Sequence, residues 1–156
     1  MSAADAPHIM VVESRYYTEV ADELVASVVT ELDEAGASYE RFEVPGAFEI
    51  PAAIGFAIRS MDFSTERQRF DGYVALGCVI RGETTHYDYV CQESARALQD
   101  LAVRFSLALG YGILTCENRE QAMVRARRDG ADRGGHAARA CLRMIGLKSS
   151  FRLYPR

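Results

Sequence analysis

The chain lacks most of the features that would assign a protein to a class at a glance. No apolar run in its 156 residues approaches the ~20 needed to span a bilayer, so nothing reads as a membrane segment. There is no low-complexity tract. The lead Met1 to Pro7 has neither a basic stretch nor an apolar core, so it reads as a short disordered segment rather than a signal peptide, and the protein is expected in the cytoplasm. Close cysteine pairs are missing as well. Cys78, Cys91, Cys116 and Cys141 stand singly among apolar neighbours, which excludes zinc and dithiol motifs and predicts reduced packing residues. Nor is there an excess of positive charge. With 18 Lys and Arg against 22 Asp and Glu, the formal net charge is −4, which argues against a general nucleic-acid binder.

What remains is ordinary globular composition, 49% hydrophobic and 26% charged, in a chain long enough to bury roughly 70% of its unfolded surface as one domain. That domain is expected over residues 8–156. Apolar and β-branched runs predict strands at His8–Glu13, Ser38–Val44, Tyr73–Ile80 and Tyr111–Cys116. Between them, helical spacing predicts helices from about Tyr17 to Ala35, Pro51 to Met61 and Tyr87 to Leu109. The third of these is expected to place Val90, Leu98, Leu101 and Phe105 on one side and to stop at Gly110. Two further helices follow, from Glu117-Asn118 to about Arg128 and from His136 to Leu147, separated by the glycine-broken stretch Asp129–Gly135. A polar segment, Asp62–Asp71, joins the second helix to the third strand. Strand and helix alternating four times predict an α/β, three-layer αβα domain: a flavodoxin-like, four-stranded parallel sheet flanked by helices and joined by right-handed crossovers.

In such sheets ligands bind beyond the carboxyl ends of the strands. Strand one ends in Ser14-Arg15-Tyr16-Tyr17 and strand two in Pro45-Gly46-Ala47-Phe48-Glu49. Strand three ends in Arg81-Gly82-Glu83-Thr84-Thr85-His86, at a strand-to-helix junction where unpaired N–H groups and the helix dipole favour an anion. In isolation, a threonine there is a helix cap and His86 a turn residue. Together the three tips offer an aromatic face for a flat heterocycle, a carboxylate for hydroxyl groups and a cradle for a phosphate. A histidine stands beside the cradle, and its ordinary pKa of ~6.5 suits proton transfer near neutrality.

Three segments, Val44-Pro45-Gly46-Ala47-Phe48-Glu49-Ile50-Pro51, Gly77 to His86 and Leu114-Thr115-Cys116-Glu117-Asn118, resemble lumazine synthases in order and spacing, within a likeness running from about His8 to Leu147. The resemblance implies condensation of 5-amino-6-ribitylamino-uracil with 3,4-dihydroxy-2-butanone 4-phosphate, the penultimate step of riboflavin synthesis. The partners so implied are these two small molecules, with no metal or organic cofactor. It assigns proton transfer to His86, stacking on the pyrimidine to Tyr16, and the ribityl-pyrimidine to Ala47, Phe48 and Glu49, with Cys78, Val79 and Ile80 lining it through main chain. Glu83, Thr84 and Thr85 fall in the phosphate loop. Tyr111 matches an aromatic and Arg125 a phosphate-binding arginine, both supplied in the family by a neighbouring subunit, and Arg133 stands where many relatives have lysine near the pyrimidine. The resemblance therefore implies a homopentamer or an assembly of pentamers.

Four residues depart from the common pattern. Tyr16 and Tyr111 replace phenylalanine, Tyr17 replaces asparagine, and Glu83 stands where alanine or glycine is common. A carboxylate beside a phosphate is repulsive unless it points away, which is the orientation expected here. Two alternatives share the scaffold: an archaeal-type riboflavin synthase, for which a phosphate site has no purpose, and a non-catalytic lumazine- or flavin-binding or shell protein, which needs neither His86 nor Arg125.

Overall fold

A computed structural model describes residues 6–64 and 69–153, so the expected lead at residues 1–5 and part of the polar connection, residues 65–68, lie outside it. Four strands, β1 (His8–Ser14), β2 (Ser38–Val44), β3 (Gly72–Ile80) and β4 (Leu109–Cys116), pair in parallel in the order β2-β1-β3-β4. That is the flavodoxin-like order, with its switch point between β1 and β3.

Two-sided burial follows from strand periodicity, which sends alternate side chains to opposite faces. Ile9 and Val11 of β1 and Val74 and Leu76 of β3 pack on one face against Val20, Leu24 and Val28 of α1 (Thr18–Glu34), and against Ala137, Ala138 and Cys141 of α5 (Arg133–Ser150). Ala122 and Ala126 of α4 (Arg119–Ala126) join the same layer. Met10 and Val12 of β1 and Tyr73 and Ala75 of β3 face the other way. There they meet Ile50, Ile54 and Ile58 of α2 (Ile50–Ser60), and Val90 and Leu98 of α3 (His86–Arg104). Short 3-10 turns at Ala47–Glu49 and Met61–Phe63 flank α2.

The third helix ends earlier than its apolar pattern predicts. α3 stops at Arg104, and Ser106 takes a left-handed backbone with φ of 53°. The N–H of Leu107 then donates to the carbonyl of Ala102 at 2.9 Å, closing the helix in a Schellman motif built without glycine. Phe105, expected on the helix side of Val90, Leu98 and Leu101, falls past the helix end and is half exposed. Gly110 is no helix stop; it lies inside β4, where a Cβ would come within 2.0 Å of the Ala137 carbonyl oxygen, so its missing side chain lets α5 lie on the sheet. The last two helices also differ at their ends. α4 closes at Ala126 rather than Arg128, and α5 starts at Arg133 rather than His136, with the Asp132 carboxylate accepting from the N–H of Gly135 at 3.2 Å. Gly134 is inside that first turn because a Cβ there would meet the Leu24 carbonyl oxygen at 2.4 Å.

Candidate active site

The carboxyl ends of β1, β2 and β3 converge on a cleft of about 510 Å³ at the switch point. β1 contributes Ser14, and the chain beyond it contributes Tyr16 and Tyr17, whose rings meet edge to face at 5.0 Å. The strand end is held from below. The buried Glu13 carboxylate accepts from Arg41 of β2 through Nε at 2.9 Å and Nη2 at 2.8 Å, and from Arg15 at 3.2 Å, while Arg15 also bonds Asp22 of α1. One carboxylate thus ties the end of β1 to the middle of β2, and it is neutralised by two guanidinium groups.

Beyond β2, Pro45 and Gly46 turn the chain into the 3-10 segment that presents Phe48 and Glu49 outward and buries Ala47. All three residues line the cleft. β3 supplies Cys78, Val79 and Ile80. Burial pushes the Cys78 thiol up to about 12, with neighbouring Cys116 adding to the rise, so it is neutral at physiological pH and unfit as a nucleophile.

The loop after β3 is braced by Arg81. Its backbone N–H donates to the Cys116 carbonyl at 2.9 Å, its Nε donates to Glu117 at 2.8 Å, and its guanidinium lies over the Tyr87 ring at 4.3 Å. This brace brings Gly82, Thr84 and the exposed His86 to the cleft wall at the start of α3. Thr85 occupies the cap position but makes no side-chain cap bond; the hydroxyl of Thr84 accepts from the His86 N–H at 3.3 Å instead. Glu83 and Thr85 are exposed and stand outside the cleft lining.

Tyr111, Arg125 and Arg133 are not in this cleft. They line a second cavity of about 440 Å³, formed by β4, α4 and α5, with Thr115 and His136 beside them, and the two hollows share no lining residue. The Arg125 guanidinium donates to the Gln121 carbonyl at 3.1 Å. Among the described residues neither Arg125 nor Arg133 has a carboxylate within ion-pair distance, whereas Arg128 pairs with Glu31 and Glu34 at 3.6 Å. Burial raises the pKa of the Tyr111 phenol and of Tyr17, keeping both neutral. Ser14 and Tyr87 in the cleft and His136 in the basic cavity carry no role from sequence, and Tyr17 only a departure from the common asparagine. Ser14 and Tyr17 were legible as part of a strand tip, while the other two depend on how α3 and α5 begin.

A flavodoxin-like domain with a cleft at its switch point, an aromatic rim and a helix start beside a histidine belongs to the doubly wound α/β proteins, which take their ligands at that edge of the sheet. A family model described as 6,7-dimethyl-8-ribityllumazine synthase matches residues 6–149. Proteins of that name are similar over most of their length. The one from Agrobacterium fabrum is 55% identical over 142 residues, 91% of this chain and 95% of its own. A form numbered 1 from Rhizobium meliloti is 57% identical over 141 residues, 90% of this chain and 91% of its own. That of Paramagnetospirillum magneticum is 42% identical over 140 residues, 90% and 93% of the two chains. The chain belongs to the 6,7-dimethyl-8-ribityllumazine synthase family.

Proposed function

We propose that the chain condenses 5-amino-6-ribitylamino-uracil with 3,4-dihydroxy-2-butanone 4-phosphate to give 6,7-dimethyl-8-ribityllumazine, phosphate and water. The protein is a transferase of riboflavin biosynthesis. The observation that carries this reading is the convergence of Tyr16, Phe48, Glu49, Thr84 and His86 on one cleft at the switch point. Tyr16 stacks on the pyrimidine, and Glu49 takes ribityl hydroxyls beside the backbone of Ala47 and Phe48. Cys78, Val79 and Ile80 border the ring through main chain. The N–H groups and hydroxyls at Glu83, Thr84 and Thr85 receive the phosphate, Glu83 through its backbone alone.

The ring amine attacks the ketone and water leaves, forming an imine. Phosphate then departs by elimination, and the carbonyl of the new side chain closes onto the ribitylamino nitrogen with loss of a second water. Protons move at each step, and His86 at the helix start is the group placed to give and take them, an effect worth roughly 10²-fold. Positioning two reactive substrates against each other supplies much of the rest.

The site is completed by a neighbouring copy. Tyr111, Arg125 and Arg133 lie in a hollow separate from the cleft, and Arg125 and Arg133 lack carboxylate partners among the described residues. A neighbour that seats this hollow over the cleft places Arg125 against the phosphate, where a planar guanidinium makes paired hydrogen bonds. An apolar groove lined by Leu98, Val103, Leu109, Tyr111 and Met144 runs beside the same hollow and supports burial of this face. The assembly is a homopentamer, or several pentamers, of one domain spanning residues 8–156, working in the cytoplasm.

Mixing the purified protein with both substrates and following the fluorescent product tests the reading. Enzyme-dependent product is expected, with the KM for the phosphorylated substrate raised at least tenfold in Arg125→Ala. Product at the uncatalysed rate despite ligand binding would leave a carrier or shell protein.

A further inference from the structure

Ser14 carries a hydroxyl that the folded chain does not use. It is the last residue of β1, it lines the cleft, and its side-chain oxygen is buried without a hydrogen-bond partner. Hydroxyls on helices readily return to the carbonyl one turn back, as Thr30 does to Ala26 at 2.8 Å and Ser94 to Val90 at 2.6 Å. Ser27, the other buried hydroxyl without a partner, sits on α1 and lines neither the cleft nor the basic cavity. A strand end offers Ser14 no carbonyl one turn back, and a buried polar group left unpaired destabilises the fold.

The neighbours of Ser14 leave it room. Across the switch point it faces Gly77, where a Cβ would stand 3.6 Å from the Cβ of Ser14 and 3.6 Å from that of Ala47. Gly77 and Ala47 are thus small neighbours of Ser14, with the Ile50 side chain 3.4 Å from the same Cβ position. The depth order matters as well. Tyr16 is 74% exposed at the rim while Ser14 is 4% exposed, so a ring stacked on Tyr16 sends its substituent downward to the floor. A polyol is the fitting match for a serine, because each hydroxyl donates and accepts, and rotation about the Ser14 Cα–Cβ bond brings the oxygen to whichever staggered position the chain requires.

We propose that Ser14 is a further substrate-binding residue, its hydroxyl bonding the ribityl chain at the floor of the cleft beside Ala47 and Gly77. The assignment rests on the reading of the cleft as the ribitylamino-uracil site. It makes Ser14 a specificity determinant for the chain and not for the ring.

The test measures the affinity of wild type, Ser14→Ala and Ser14→Cys for two probes, 6,7-dimethyl-8-ribityllumazine and 6,7-dimethyllumazine, together with the Tm of each ligand-free protein. The alanine variant removes only the hydroxyl, and the cysteine variant keeps a side chain there with a weak donor. Both are expected to bind the ribityl probe roughly 3- to 10-fold more weakly and the ring-only probe as wild type does, with no fall in the Tm of Ser14→Ala. Unchanged affinity for the ribityl probe would overturn the proposal. So would an equal loss for both probes, or a lowered Tm in Ser14→Ala, which would mean the hydroxyl serves the fold. Failure of wild type to bind either probe would instead sink the reading of the cleft itself, and this assignment with it.

Discussion

At the scale of single residues, Glu83 is the departure that most needs a physical explanation, since it sets a carboxylate into the loop proposed to receive phosphate. The side chain is exposed and outside the cleft lining, while its neighbours Gly82 and Thr84 form part of the wall. An exposed charge pointing into solvent is screened and contributes little across a few ångströms. Glu83→Ala is therefore expected to change the KM for the phosphorylated substrate by less than about threefold; an affinity gain of tenfold or more would show that the carboxylate does oppose the phosphate. Arg81, in the same loop, is committed to Glu117 and Tyr87. It works as a strut for the loop, whereas Arg125 and Arg133 of the other cavity have no carboxylate partner among the described residues.

At the scale of elements, the strands and the first helices were legible because their signals are redundant. Burial on both faces, β-branched runs and a proline in the first turn of α2 all point the same way. Boundaries governed by tertiary contact were not legible. Nothing in Phe105-Ser106-Leu107 announces a left-handed turn, since the residue at the turn is serine where glycine is usual. Gly110, Gly134 and Gly135 carry the local signature of helix breakers, but Gly110 and Gly134 are surfaces for close packing. The site divides in the same way. The three strand tips follow from topology, whereas the placement of Tyr111, Arg125 and Arg133 in a separate hollow emerges only from how α4 and α5 pack on β4. One substitution checks the packing role. In Gly110→Ala the new methyl meets the Ala137 backbone oxygen, which cannot move aside as a side chain can, so urea unfolding should show a loss of at least ~2 kcal/mol. A loss below ~0.5 kcal/mol would mean that α5 does not depend on that contact.

At the scale of the whole molecule, the chemistry is split between two surfaces of one chain. The cleft has the exposed Tyr16 ring, the Glu49 carboxylate and His86, while the second hollow has Arg125 and Arg133, the cations proposed to meet the phosphate. The proposed closed ring of copies would join them through a head-to-tail interface, in which each copy gives one surface to each neighbour. A sedimentation coefficient of at least a pentamer is expected for active enzyme, and a fully active monomer would contradict it. The most direct test of shared sites is complementation. His86→Ala and Arg125→Ala are co-expressed or unfolded and refolded together in equal amounts, and synthase activity is measured with the phosphorylated substrate well below the wild-type KM, where each variant alone is expected to be at least tenfold impaired. Random rings should regain about a quarter of wild-type activity, because one site in four then draws His86 from one subunit and Arg125 from the next. Activity no higher than the average of the two separate variants would place both residues in a single chain's site and contradict the account.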